Sequence, residues 1–588
     1  MTARTADYVI WHRYVPLATT LLSAALAVAL GLLAGTNAIL ALGLTVGLLV
    51  LVAVVIRPET ATLAAIALLY SNAAAVGTRF HGLPYFVAAV IPMLFLAPLA
   101  YDLLVRRASL IVTPTLRLVL VLLALHIGGT IASRDIALAS EELVRFVLEG
   151  ALLVLLITQT IRSVESLRAV VWVLLIVGGL LGALSVLQQA TGNFRNDYFG
   201  FAQTGTGDVL ISARAAGEQL QPRLEGPIGE QNRYAQVMIV LVPLGLFRVR
   251  AERSLLLRSA AILATTLIVI AAALTYSRGA AVALLLVLVA MAVLRYVKLW
   301  QAAAVLVALA LLLAAVPGYA NRLATLQDLP AAAEGPAAGS TRETSIGLRA
   351  NSTQAAAAMF LDHPILGVGP GLYASHYREY AGAASGVVGT ADFEAHTLYF
   401  EIAAEMGVLG ILAYAALFVA TLRGLAAARR RCLQEQPELA DLAAGFLFAV
   451  LAYMASAVFL HLSYHRYFWI LMALAASAAW LLAGRDDSAT SGDPLVAVQV
   501  GARTPSSPSR KTPSWQAPYD LTPIARFARE RGKRILRSTG LDGHRATPAR
   551  CSTALHQQTE DRCGLSACYR PSHRNVEGTA ITREGWIS

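Results

Sequence analysis

The sequence predicts an all-α membrane protein: a polytopic helix bundle of about fourteen transmembrane helices, with two long outer loops and a disordered cytoplasmic tail. Three observations predict it. Of 588 residues, 57% are hydrophobic and only 14% charged, with a mean hydropathy of +0.61. A soluble domain carries roughly 25% charged residues, so this chain has too few to coat a water-facing surface. The apolar residues gather into runs near the ~20 residues that a helix needs to cross the hydrocarbon layer. Loops between the runs alternate between arginine-rich and arginine-poor, as orientation by positive charge requires.

Taken in order, spans are expected near 15–34, 37–56, 60–78, 84–104, 114–132, 142–161 and 168–189, making residues 1–189 an N-terminal helical region. The run from Val15 leads directly into the next one and reads as an anchor, not a cleaved signal. Residues 190–233 form the first long outer loop, polar and glycine-rich. Spans near 234–249, 256–276, 279–295 and 299–316 occupy 234–317, and a second long outer loop covers 318–396. The last spans, near 397–422, 441–461 and 466–484, fill 397–484 before a polar tail at 485–588. With the N-terminus inside, Arg57, Arg106 and Arg107, Arg162 and Arg168, Arg248 to Arg258, Arg295 and Lys298, and Arg423 to Arg431 all fall in cytoplasmic loops. An even number of spans places the C-terminus inside too.

This loop placement accounts for the net charge of +11, so nucleic acid is not an expected partner. The four cysteines, Cys432, Cys551, Cys563 and Cys568, show neither a disulfide framework nor a tetrahedral ligand set. No phosphate-cradling loop and no metal-ligand spacing is present, and neither metal nor cofactor is expected. In the second outer loop, SIGLRANSTQAAAAMFLDHP repeats apolar residues at helical spacing and predicts a surface helix that stops before Pro364. The glycines of ILGVGPGLY then predict a compact turn. The tail is rich in Ser, Pro, Arg and Thr, and its PIARFARERGKRILRS segment suits an anionic lipid surface or a merely solvated face.

Ionisable groups at the ends of spans are the candidates for chemistry. Arg278, in LTYSRGAAVALLL, stands with Ser277 in a gap so short that its guanidinium must lie at the outer interface. Its planar fork matches phosphate oxygens, although an arginine can also simply snorkel to headgroups. Arg223, in QPRLEGPIGEQNRYAQ, precedes a turn built on Gly226, Pro227 and Gly229, and Asn232 is expected to cap the helix starting near Arg233. A helix N-terminus there adds partial positive charge beside a bound anion. His396 stands where the second outer loop enters a helix, and a near-neutral imidazole can take a proton from a hydroxyl. Glu394, Glu401 and Glu405 lie close in sequence, and His461, His465 and Arg466 form another outward group suited to substrate or lipid headgroups.

Three segments, RLEGPIGEQNRYAQ, LTYSRGA and DHPILGVGPGLY…AHTLYFEIAAEMGVLG, together resemble the O-antigen ligase and polysaccharide polymerase superfamily over roughly residues 180–425. The resemblance implies a metal-independent glycosyltransferase of the bacterial cytoplasmic membrane, with its active site facing outward. The donor would be an undecaprenyl-diphosphate-linked glycan, and the acceptor hydroxyl would belong to a lipid, a glycan or a protein. On the same resemblance Arg278 and Arg223 bind the carrier diphosphate and His396 assists the acceptor, with Asn232, Ser277, Glu394, His465 and Arg466 as substrate contacts. Thr397 follows the histidine where the family usually has asparagine, and Gln231-Asn232 stands where Pro-Asn is common. Ligases and polymerases share these motifs. The rival class is a transporter or lipid-carrier flippase, for which the polar His126, Gln188 and Gln189 within spans speak, while the lack of midplane charge and of an internal repeat speaks against.

Overall fold

The computed structural model of the protein describes residues 57–84, 91–205, 222–298, 300–301, 307, 345–381, 395, 397–460 and 465–484. The expected spans near 15–34 and 37–56, most of that near 299–316, and the tail from 485 lie outside the described residues.

Nearly everything described is helical. Among the described residues, seven helices are long and apolar enough to cross a membrane. They are α4 (Pro114–Ala132), α5 (Ile136–Thr160), α6 (Val164–Thr191), α7 (Gln231–Ala251), α8 (Leu255–Leu274), α12 (Leu398–Glu435) and α13 (Pro437–Ser456). Three shorter apolar helices, α3 (Ile91–Val105), α9 (Arg278–Val293) and α14 (His465–Leu482), fall where spans were expected. Helices α10 (Ser345–Asp362) and α11 (Tyr373–Tyr380) belong to the second long loop.

The expected span near 60–78 is instead a bent pair, α1 (Glu59–Tyr70) and α2 (Ala73–His81), turned by 55° at Asn72. Asn72 adopts a left-handed backbone (φ 59°), a conformation asparagine tolerates better than most residues. Its buried side chain is spent elsewhere: Nδ2 donates to the Pro227 carbonyl at 2.8 Å, and Oδ1 accepts from Arg466. A second break interrupts α12 at Gly407 (φ 60°, ψ −158°). There the glycine turn of ILGVGPGLY plugs in. Val408 donates to the Pro364 carbonyl at 2.8 Å, and Val368 and Gly369 donate to the Ala404 and Glu405 carbonyls at 2.9 and 3.1 Å. A Cβ on Gly407 would sit 2.4 Å from the Ile365 carbonyl oxygen, so only glycine allows the backbones to approach this closely. The predicted surface helix does form as α10, but one face is covered. Ala355, Ala356 and Met359 join Val368, Leu372 and Tyr373 in a small core against Ala139 of α5 and Ala404 of α12.

Helices α7 and α13 lie at the centre of the bundle and α8 near its rim; 78% of the α13 span is buried against 28% for α8. Phe247, Phe448, Phe468 and Trp469 fill the middle. Small residues let backbones meet where lipid supplies no hydrophobic drive: a Cβ on Gly182 of α6 would reach the Leu267 carbonyl of α8 at 2.6 Å. The arginine-rich loops gather at one end. Arg168 and Arg253 both reach the Glu438 carboxylate, at 3.7 and 2.7 Å, and Arg250 reaches Asp441 at 3.5 Å.

One feature departs from an all-helical reading. Residues Gln203–Gly205 (β1) and Arg223–Gly226 (β2) pair antiparallel, so the first long loop closes on a hairpin.

Candidate functional site

Arg223 opens β2, and its Nε donates to the Thr275 carbonyl at 2.9 Å. Thr275 closes α8, Tyr276 takes a positive φ of 55°, and Ser277 caps α9, whose first residue is Arg278. The two arginines, 55 positions apart in sequence (278 − 223), therefore converge on one three-residue turn at the end of the bundle away from the arginine-rich loops. Leu224, Leu274 and Tyr276 pack into a small buried cluster that fixes strand and turn together. Ser277 is itself buried; its hydroxyl accepts from the Ala280 amide and so sets where α9 begins.

The start of α7 forms the other wall. Here the expected cap is displaced: the helix begins at Gln231, and Glu230, not Asn232, caps it. Its carboxylate accepts from the Asn232 and Arg233 amides at 3.0 and 2.7 Å. A carboxylate does this better than an amide, because it also meets the positive end of the helix dipole. Asn232 is thereby released to turn its Oδ1 toward Arg223 (3.5 Å) while its Nδ2 donates to Glu230 at 2.9 Å. Gln231, with its amide oriented to satisfy both neighbours, donates to Glu225 at 2.8 Å and accepts from Arg223 at 3.1 Å. Arg223 and Glu225 share the open face of β2. Burial, with the neighbouring Glu230 adding to it, pushes the Glu225 carboxyl up to about 7, against the pull of Arg223 and Arg79.

His396 and Glu394 lie outside the described residues; the residues flanking His396, Ala395 and Thr397, are buried. Two residues on, Leu398 donates to the Ala457 and Leu460 carbonyls at 3.0 and 2.8 Å. The start of α9 rests on that same segment, for a Cβ on Gly279 would meet Phe459 at 2.9 Å. The first turns of α9 and α12 thus share one support. His465 begins α14, its side chain outside the described part, while Arg466 approaches the hairpin from behind through Asn72 and Pro227.

So Arg223, Arg278, Ser277 and Asn232 are brought together, with Arg466 on the far side of the Pro227 turn. The sequence does not single out Glu225 or Glu230, and Gln231 stands out only as a departure from the family's Pro-Asn. A four-residue strand offers no visible alternation, and Glu230 competes with a better-known capping residue two places later. Two of the three polar residues that favoured transport, His126 and Gln188, have structural partners, whereas the Gln189 Oε1 is buried with no hydrogen-bond partner among the described residues. His126 stacks on Phe146 and bonds the Leu122 carbonyl at 2.8 Å, and Gln188 donates to the Asn196 and Ala202 carbonyls, both at 2.8 Å, tying down the first long loop. Among the described residues no three His, Cys, Asp or Glu side chains stand together as metal ligands.

Residues 234–415 match the model of the family described as O-antigen ligase, a stretch running from α7 through Arg278 and the second long loop into α12. No curated protein matches the chain.

Proposed function

From the match of residues 234–415 to the O-antigen ligase family, we propose that the protein is a ligase-type glycan transferase. It moves a glycan from an undecaprenyl-diphosphate-linked donor to a hydroxyl of a lipid, glycan or protein acceptor, at the outer face of the bacterial cytoplasmic membrane. The observation that supports this most is the convergence of Arg223 and Arg278 on the Thr275–Ser277 turn, where two spans end.

In the reaction the bond between the anomeric carbon and the diphosphate oxygen breaks, and that carbon bonds to the acceptor oxygen. The bonding pair leaves with the carrier diphosphate, which gains a negative charge. Guanidinium groups already in place stabilise that charge more in the transition state than in the ground state, because no reorientation is needed as it develops. Arg223 is held in this way by the Thr275 carbonyl and Asn232. Ser277 acts through Arg278, by fixing the first turn of α9. The hydroxyl proton goes to His396, a base worth roughly 10²–10⁴ in rate. Glu394 and His465 are assigned contacts to the sugar.

The test is genetic and chemical together. His396→Ala and Arg278→Ala should each abolish surface polysaccharide while the protein still inserts at normal abundance. Ordinary polysaccharide from both variants would defeat the reading. In a deletion strain, long chains left unattached on the carrier indicate a ligase, whereas loss of long chains indicates a polymerase.

A further inference from the structure

We propose that the protein has a second anion site, formed by Arg79 and Arg466 behind the Arg223 hairpin, and that it takes a phosphate group. A cavity of about 120 Å³ lies there, with Asn72, Gln203, Pro227 and Ile228 among the residues completing its wall. A water's share of liquid volume is about 30 Å³, so the space admits something larger than one water. No carboxylate lines it, and among the described residues neither arginine has an ion-pair partner. Glu225 influences Arg79 only through space.

Arg466 is already oriented. One of its terminal nitrogens is tied to Asn72, while its Nε is buried with no hydrogen-bond acceptor. A buried donor on a cation left in this state is costly, and an anion in the cavity supplies both the acceptor and the countercharge. Arg79 stands in the last turn of α2 and faces the same space from the other side. The Gly229 turn packs closely on Arg79 and Gln203. Gly229 has a φ of +79°, and a Cβ there would lie 3.1 Å from Arg79 Nη1 and 3.0 Å from Gln203 Oε1. Neither Arg223 nor Arg278 is among the residues that line this cavity. Two planar forks around one small cavity match the several oxygens of a phosphate group. The site stands on this geometry and does not depend on the transferase reading.

The group can arrive on a lipid headgroup or as free phosphate, and the experiment separates these. The full chain is placed in phosphatidylcholine nanodiscs in an Arg223→Gln/Arg278→Gln background, which removes the neighbouring pair of cations. Inorganic phosphate binding is measured by calorimetry, and retention of added phosphatidylglycerol by native mass spectrometry. Adding Arg79→Gln should weaken whichever probe binds by about tenfold or more, equivalent to the loss of one charge-assisted contact. Arg79 is exposed and makes no side-chain hydrogen bond among the described residues, so this variant folds as the parent does. Phosphate bound without retained phosphatidylglycerol assigns a soluble source; retained phosphatidylglycerol lost on substitution assigns a headgroup. Binding of neither probe, or equal binding with and without Arg79→Gln, overturns the proposal. Surface polysaccharide is not a readout, so failure here leaves the transferase reading standing, and the reverse holds too.

Discussion

The two long loops meet the bundle in opposite ways. The first ends in a short hairpin held by polar contacts: Arg223 to the Thr275 carbonyl, Asn72 to the Pro227 carbonyl, and Glu230 on the amides of α7. The second is held by backbone hydrogen bonds and by close packing. Its glycine turn slots into the break of α12, over a small apolar core of Ala355, Met359, Val368 and Leu372. Polar anchorage orients charges but contributes little net stability per contact, since each hydrogen bond replaces one to water. Close packing of backbone on backbone contributes to stability and tolerates no added atom. The first loop is therefore where function should be fragile and folding robust, and the second the reverse.

The strongest way to break that contrast is at the arginines. Arg223→Ala and Arg278→Ala should each lower glycan transfer by about 10²–10³, the usual cost of removing one preorganised charge-stabilising donor, with thermal unfolding of the solubilised protein nearly unchanged. A large fall in melting temperature would show that the hairpin is structural after all. Next comes the plug. A Cβ on Gly367, whose φ is +71°, would lie 2.2 Å from the Glu405 backbone, which cannot move aside as a side chain could. Gly367→Ala should destabilise by roughly 1–3 kcal/mol and expose the second loop to protease, while phosphate binding at Arg79 and Arg466 persists.

How much of this was legible beforehand follows the same division. Spans such as α4, α6 and α13 could be read because length and apolarity are local properties, and membrane thickness sets the required length. Arg223 and Arg278 could be singled out because a cation at the end of a span is conspicuous. Their meeting could not, since the link is one bond from Arg223 to a carbonyl 52 residues away. The break at Asn72 was invisible for a different reason. The apolar run continues through it, and its cause is the pull of Pro227 and Arg466 on one side chain, partners 155 and 394 positions distant. The plug was half visible: the glycines announced a turn, but nothing local said that Gly407 had opened a helix to receive it.

A smaller effect is expected at Asn232. Asn232→Ala removes a partner of both Arg223 and Glu230 without touching the cap, so about 1 kcal/mol of orientation is lost. Transfer should slow by roughly fivefold, mainly through a weaker apparent affinity for the donor, measurable as a KM change at constant kcat. A kcat loss as large as that of Arg278→Ala would place Asn232 in contact with the reacting groups instead.

The finest discrimination comes from Glu225, whose carboxyl sits near 7 because burial and Glu230 outweigh Arg223 and Arg79. Its folded value lies above the ordinary carboxylate value of 4.5, so the folded state binds the extra proton between them. Stability should then be highest near and below pH 4.5, fall as pH rises toward about 7, and level off above it. Glu225→Gln should remove that slope, as chemical denaturation of the solubilised protein at pH 5 and pH 8 would register. The same titration reaches the site. Below about 7 the neutral acid leaves the positive charge of Arg223 unopposed; above it the carboxylate competes with an incoming diphosphate. The ratio of wild-type to Glu225→Gln transfer should therefore fall as pH passes upward through that value, since the His396 base is common to both. A diphosphate diester does not itself titrate there, so a ratio that does not change with pH would mean that Glu225 faces away from the bound donor and belongs to the hairpin's anchorage alone.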